Sequence, residues 1–198
     1  MSARGTVNTT DLLPEWARAA LLAPLALMLG ACVSTPDSAA PVALAEAPRF
    51  DPFVFFVGES RGEGVLAKVL SDPVPVRVES AGRIEVEARP GASWAEPPRK
   101  VLVLGQTIRE GEKPPRQRQW RLVEIAPGRY EGTLSDAIGP VSARSEGNRL
   151  TITFTMKGGF AVRQELTLSP DGTRAANVMR VSKLGLTVAV LSEDIVRG

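Results

Sequence analysis

A serine flanked by glycines is the residue in this sequence whose surroundings most resemble those of a catalytic nucleophile. Gly58-Glu59-Ser60-Arg61-Gly62 has the G-x-S-x-G spacing that places a nucleophilic serine on a strand-to-helix turn in α/β-hydrolases. Such a serine needs a base to take its proton, and those enzymes use His, whereas this sequence contains no His. Residues 64–67 also read as a strand where the motif requires a helix. The sequence therefore argues against a hydrolase, and we expect the glycines to permit a tight bend.

Acidic residues offer a second route to catalysis. Glu59 and Glu63 lie close together in the sequence, and Glu193 and Asp194 are adjacent. Paired carboxylates act as acid and base only when they converge in one pocket, and neighbouring residues of a strand point to opposite faces. We expect these side chains to be solvated surface charges. With one Cys, no His and no phosphate-binding or dinucleotide-binding motif, the sequence predicts a protein without enzymatic activity, metal or cofactor.

The single cysteine, Cys32, follows a short apolar segment near the N-terminus. Residues 19–29 carry no charge, and they are too few to span ~30 Å of hydrocarbon as a helix. Their length is typical of the apolar region of a signal peptide. The segment ends in Leu29-Gly30-Ala31-Cys32, which resembles the lipobox of bacterial lipoproteins. That resemblance implies cleavage before Cys32 and a lipid anchor on its thiol.

The resemblance to lipoproteins also implies a location. Val33 follows the cysteine, where an Asp would be an inner-membrane retention signal in lipoproteins of this kind. We therefore expect the protein at the periplasmic face of the bacterial outer membrane, held there by its lipid. Residues 1–31 are predicted to be the signal peptide, residues 32–49 the acylated cysteine with a flexible tether rich in Pro and Ala, and residues 50–198 the folded domain.

The folded domain shows an alternation with a period of two, which indicates strands. Residues 150–156 alternate aliphatic or aromatic side chains with Thr, and residues 160–168 continue the pattern after the turn Lys157-Gly158-Gly159. Turn-forming residues recur at intervals along the rest of the chain, which contains 16 Pro and 18 Gly in 198 residues. These features predict an all-β fold, a meandering antiparallel barrel of about nine or ten strands. Residues 52–57 are expected to form one helical turn that plugs an end.

A series of short motifs in fixed order carries a resemblance to a known family. Over the range from residue 50 to about residue 194, the chain resembles bacterial lipoproteins of unknown function with a lipocalin-like (calycin-type) barrel. The resemblance implies the fold and the location, and it brings no established activity. The motifs are Phe50-Asp51-Pro52-Phe53, Phe56-x-Gly58, Gln119-Trp120-Arg121-Leu122, Gly128-Arg129-Tyr130-x-Gly132, Gly147-Asn148-x-Leu150, Asp171-Gly172, and Asn177 followed by Lys183-x-Gly185.

Two sets of residues are candidates for binding. Gln164 and Asn177 lie on the apolar faces of their strands, where each amide must bond a ligand, another side chain or a turn backbone. With them we predict a ligand cavity bordered by Trp120, Phe154, Val162 and Leu166. Residues 99–121 carry seven basic against two acidic residues, and they suggest a surface for anionic groups. The alternative for that segment is two solvated strand faces; the basic candidates are Arg109, Lys113, Arg116 and Arg118.

These observations leave two functions open. The first is a non-enzymatic envelope lipoprotein that binds a lipid or other apolar small molecule inside the barrel. The second is a structural module with a filled barrel that binds a protein partner or an anionic surface through its basic hairpin. Nucleic acid is not an expected partner, because an exported protein with 5% aromatic residues has few rings on which to stack bases.

Overall fold

The computed structural model describes residues 33–36, 41–88 and 97–198 of the chain. Within these ranges, one short helix precedes ten strands, and their bounds are α1 Pro52–Phe55, β1 Gly58–Lys68, β2 Ser71–Glu87, β3 Arg99–Glu110, β4 Arg116–Ala126, β5 Arg129–Leu134, β6 Ala137–Glu146, β7 Arg149–Met156, β8 Phe160–Leu168, β9 Arg174–Lys183 and β10 Leu186–Arg197. The predicted all-β antiparallel barrel is confirmed.

Each strand pairs with its neighbour in the sequence, and β1 also pairs with β10, so the sheet closes on itself. Closure removes the exposed strand edges that an open sheet would leave. The alternation of β7 and β8 follows the predicted pattern, with Phe154 opposite Val162. Gly158 and Gly159 have φ of 83° and 72°, so the turn between these strands needs residues without a Cβ.

One end of the barrel is closed by the N-terminal helix. Asp51 caps α1 by accepting a hydrogen bond from the Phe53 backbone N–H at 2.8 Å. The helix brings Phe55 and Phe56 against Phe50, with ring centroids 5.1 and 6.2 Å from that of Phe50. All three rings are buried in the main core, so the predicted helical plug is confirmed.

The opposite end of the barrel, here called the open end, carries the tight turns that follow β1, β3, β5, β7 and β9. Because the strands form a meander, all five turns lie on the side away from α1. Leu70 and Leu184 stand at two of these turns, almost fully exposed and with φ of 58° and 51°. In the part of the chain that the structure describes, a membrane-spanning helix is not found.

The segment before the barrel is partly fixed to it. Asn148, in the turn between β6 and β7, accepts a hydrogen bond from the Ala45 backbone N–H at 2.8 Å and donates one to the Ala43 carbonyl at 2.9 Å. The Asn148 backbone N–H also donates to the Ala45 carbonyl at 2.8 Å. The last residues of the predicted tether therefore lie along the closed end and do not move freely there. Cys32 and the predicted signal peptide lie outside the described residues.

Candidate functional site

The barrel interior is built in three layers. Nearest the open end is an aliphatic ring, here called the collar, made of Leu66, Val76, Val78, Ile108, Met179 and Leu191. Beneath it lies a ring of polar side chains, here called the polar belt, made of Ser80, Gln106, Arg118, Gln164, Asn177 and Glu193. The main core and the α1 plug fill the remainder. A cavity of about 60 Å³ is lined by collar and belt residues and extends towards the open end.

Three neighbouring strands supply one wall of the belt. Gln164 lies on β8, Asn177 on β9 and Glu193 on β10, and each side chain points inward with 8% or less of its surface exposed. Asn177 Nδ2 donates a hydrogen bond to Glu193 Oε2 at 2.8 Å, across a directly paired position of the two strands. This wall therefore holds a buried carboxyl group that is oriented by an amide.

Two glycines of β1 make room for that carboxyl group. Gly64 pairs directly with Glu193 across the seam that closes the barrel. A Cβ added at Gly62 would lie 1.9 Å from Glu193 Oε1, and one at Gly64 would lie 2.3 Å from the Ser192 carbonyl oxygen. The absence of side chains at these two positions lets the Glu193 carboxyl lie against the β1 backbone.

The environment of Glu193 alters its titration. Burial raises the pKa of the Glu193 carboxyl above its ordinary value of 4.5, and the nearby charge of Asp194 raises it further. The hydrogen bond from Asn177 and the charge of Arg118 oppose this rise. The side chain therefore holds its proton to a higher pH than an exposed Glu does.

The wall across the barrel belongs to β3 and β4, and hydrogen bonds there converge on one amide. Gln106 Oε1 accepts from Arg118 Nε at 2.8 Å and from Trp120 Nε1 at 2.7 Å, while Gln106 Nε2 donates to Ser80 Oγ at 3.0 Å. The Arg118 guanidinium lies 5.3 Å from the centre of the Trp120 ring. Burial and the charge of Arg116 lower the pKa of Arg118 to about 10, so the guanidinium stays protonated at neutral pH.

Ion pairs occupy the rim above the collar. Glu110 accepts hydrogen bonds from Lys68 and from Lys113. Burial raises the pKa of Glu110, but the hydrogen bonds and charges of these two lysines outweigh that effect and lower it overall. Arg116 pairs with Asp136 at 2.9 Å. The rim is thus charged but largely paired.

The structure separates the residues of the predicted ligand cavity into two groups. Trp120, Gln164 and Asn177 line the cavity. Phe154, Val162 and Leu166 are buried in the core around it, with the Phe154 ring in edge contact with Trp120 at 5.5 Å. The Gln164 amide is one of several polar groups at this level of the barrel. The roles of all six in ligand binding remain predictions.

The four residues of the predicted basic patch point in different directions, and their role in binding stays a prediction. Arg109 points outward and pairs with Glu79 at 3.0 Å, and Lys113 lies in the turn after β3. Arg116 and Arg118 line the cavity instead. Successive residues of a strand point to opposite faces of the sheet. Arg118 therefore lies on the same face of β4 as Trp120 and Leu122, which is the face towards the barrel interior.

Two expectations about acidic and nucleophilic residues had different outcomes. The expectation that Glu193 is solvated is wrong: its neighbour Asp194 is partly exposed and pairs with Arg174 at 3.1 Å, while Glu193 is buried inside the barrel. The alternation Leu191-x-Glu193-x-Ile195 is the sequence signal that places it there. Ser60 is buried within β1 opposite Ser80, without the turn and helix of a hydrolase nucleophile.

Comparisons with known proteins establish the family and the fold. A family described as "Protein of unknown function (DUF3833)" matches residues 26–192. The chain belongs to this family. No curated protein matches it. A solved structure, titled S-type phycobiliprotein lyase CPES from Guillardia theta, is similar with a TM-score of 0.54 at 10% identity, covering 74% of this chain and 90% of the lyase.

The similarity to the lyase confirms a lipocalin-like barrel for this DUF3833 protein, and at this identity it extends to the fold alone. It also corrects the prediction of a non-enzymatic protein, because a solved structure of the same fold is titled a lyase. Among the described residues, no group of three or more Cys, Asp or Glu is placed to hold a metal ion. The polar belt is the part of the described interior with groups suited to binding or proton transfer.

Proposed function

We propose that this DUF3833 protein binds a small, mainly apolar molecule inside its barrel, with entry through the open end. The observation that carries the proposal is the cavity between collar and belt, which combines an aliphatic lining with a few convergent polar groups. Ligand sites in proteins have this composition, since apolar contacts supply affinity and a few polar groups fix orientation.

The dimensions of the cavity limit the ligand. A volume of about 60 Å³ is more than the roughly 10–15 Å³ that a single water needs, but it is well below the roughly 300–1,000 Å³ of a pocket for a drug-sized ligand. The ligand is therefore a short molecule or the end of a longer one whose remainder extends past the collar. The similarity in fold to a lyase barrel supports binding of an apolar small molecule without naming it.

We also propose that Cys32 carries a lipid that anchors the protein at the periplasmic face of the outer membrane. The support is the motif Leu29-Gly30-Ala31-Cys32 behind an apolar segment, and the family match begins at residue 26, before this cysteine. The alternative function, binding of a partner through a basic hairpin, has less support because its basic residues do not face one way. Arg109 points outward, whereas Arg116 and Arg118 line the cavity.

Filling the cavity tests the binding proposal. Val78→Phe adds a ring to the collar, whereas the matched Val196→Phe adds the same ring at a half-exposed position of β10. The full chain is titrated with the neutral apolar fluorophore N-phenyl-1-naphthylamine. We expect saturable binding by the wild type and by Val196→Phe, and a loss of at least tenfold in affinity for Val78→Phe. Equal affinity in all three proteins would refute binding in this cavity.

Replacing the cysteine tests the anchor. Cys32→Ser removes the thiol that accepts the lipid, so the precursor should keep its full length and fail to incorporate radiolabelled palmitate. Wild type should appear as a shorter, labelled species in the membrane fraction. A labelled, shortened Cys32→Ser protein would refute lipidation at this residue.

A further inference from the structure

Three hydrogen-bond acceptors of the polar belt lack a partner. They are Gln164 Oε1, Asn177 Oδ1 and Glu193 Oε1. Each belongs to a side chain that is more than nine-tenths buried, and all three side chains line the cavity from adjacent strands. A buried acceptor left without a donor destabilises the folded protein, because it has lost its hydrogen bonds to water. Three such atoms on one wall of one cavity therefore need donors from outside the protein chain, supplied by water or by a ligand that occupies the cavity.

The three fully buried atoms without a partner on this wall are all acceptors, so the group that binds them must supply hydrogen-bond donors. On the facing wall, Arg118 Nε and Trp120 Nε1 donate to Gln106 Oε1, and Arg118 acts on Glu193 through its charge without a hydrogen bond to it. A carboxylate ligand has no donor for these three acceptors. A hydroxyl has one donor. A primary ammonium has three donors, which match the three acceptors in number, and its positive charge stabilises the ionised form of the Glu193 carboxyl group.

The order of the layers sets the orientation of such a ligand. Along β10, Leu191 of the collar is nearer the open end than Glu193. The same order holds on β9, where Met179 of the collar precedes Asn177 when viewed from the open end. A molecule that reaches the belt from the open end therefore passes its polar head through the collar and leaves its apolar part among the aliphatic side chains.

We propose that the polar belt binds the primary-amine head of a small amphipathic molecule, with the apolar part of that molecule in the collar. This inference rests on the proposed function and adds the chemical class of the ligand. It assigns Glu193 as the residue that pairs with the ammonium, Asn177 and Gln164 as additional acceptors, and Gly62 as the position that leaves room for the carboxyl group.

Three probes of equal chain length test the inference by calorimetric titration of the full chain at neutral pH: hexylamine, hexan-1-ol and hexanoate. We expect hexylamine to bind most tightly, hexan-1-ol more weakly, and hexanoate without measurable heat. Glu193→Gln should lower the affinity for hexylamine by roughly tenfold to a hundredfold, the effect of a hydrogen bond to a charged group, and should leave hexan-1-ol nearly unchanged.

The control variant is Glu165→Gln, which makes the same chemical change on the outward face of β8, one residue from Gln164. It should bind all three probes as the wild type does. Far-UV circular dichroism and the thermal midpoint of each variant establish that it is folded before titration.

The outcomes separate this inference from the proposed function. If hexanoate binds as tightly as hexylamine or more tightly, Arg118 on the facing wall selects the head group, and the amine assignment is overturned while binding in the barrel stands. Loss of hexylamine affinity in Glu165→Gln to the same extent as in Glu193→Gln would also overturn it. If none of the three probes nor N-phenyl-1-naphthylamine binds, both proposals fail.

Discussion

The space that β1 leaves for Glu193 can be tested by adding single methyl groups. At Gly62, an added Cβ would overlap Glu193 Oε1 at 1.9 Å, the end of a side chain that can turn away. Turning away breaks the hydrogen bond from Asn177. We expect Gly62→Ala to lower the free energy of unfolding by about 1–3 kcal/mol, the usual range for overpacking a core.

At Gly64 the same methyl group meets backbone atoms that cannot turn away. The added Cβ would lie 2.3 Å from the Ser192 carbonyl oxygen and 2.7 Å from the Glu193 Cα. Relief requires β1 and β10 to separate at the seam that closes the barrel. We expect Gly64→Ala to cost more than Gly62→Ala, about 3 kcal/mol or more.

Gly105 is the matched control, because it lies within β3 and an added Cβ would approach nothing closer than the Ala81 carbonyl oxygen at 3.9 Å. Gly105→Ala should stabilise the protein by about 0.4–1 kcal/mol, since Ala restricts the unfolded chain more than Gly does. Free energies of unfolding come from urea titrations of the full chain, followed by far-UV circular dichroism.

A double-mutant cycle identifies which atoms of Glu193 cause the loss of stability in each glycine variant. Glu193→Ala removes the carboxyl group but keeps its Cβ and the backbone, so it should relieve most of the cost of Gly62→Ala and none of the cost of Gly64→Ala. Equal costs for the two glycine variants, or a cost of Gly62→Ala that Glu193→Ala does not relieve, would refute the placement of the carboxyl against β1.

Much of the fold could be predicted because its signals are local. The alternation of Thr with apolar residues along β7, the two glycines of the turn after it and the short helix before β1 each follow from a few neighbouring residues. Closure into a barrel followed from the number of strands and the short turns between them. None of these inferences needed contacts between distant parts of the chain.

The polar belt could be predicted only in part, because it depends on register between distant strands. Gln164 and Asn177 could be found, since each is a polar residue on an otherwise apolar strand face. The inward position of Arg118 could not be predicted in this way. Both faces of β4 begin with polar residues, and only Trp120 and Leu122 reveal which of the two faces points into the barrel. The proximity of Gly62 to Glu193 joins the first strand to the last, and no local pattern contains it.

Two further predictions concern single residues. Leu70→Asn and Leu184→Asn should each stabilise the protein by roughly 0.5–1 kcal/mol in urea titrations, because both positions have positive φ, which Asn tolerates better than Leu. Both side chains are almost fully exposed, so their replacement loses little apolar contact. The control Leu186→Asn, on the exposed start of β10, should give no gain in stability. Equal gains in stability at all three positions would refute the argument. The last prediction is that Glu193→Gln changes how stability depends on pH. Because burial raises the pKa of Glu193 in the folded state, the unfolded chain loses this proton first as pH rises above about 4.5. The free energy of unfolding of the wild type should therefore fall between that pH and the folded-state pKa of Glu193, and should not fall further above it. The total loss is about 1.4 kcal/mol for each unit by which the folded-state pKa exceeds the unfolded-state pKa. Glu193→Gln should lack this loss, so its stability relative to wild type should be greater at pH 8 than at pH 4. A difference between the two proteins that stays constant from pH 4 to pH 8 would show that Glu193 titrates as an exposed carboxyl does.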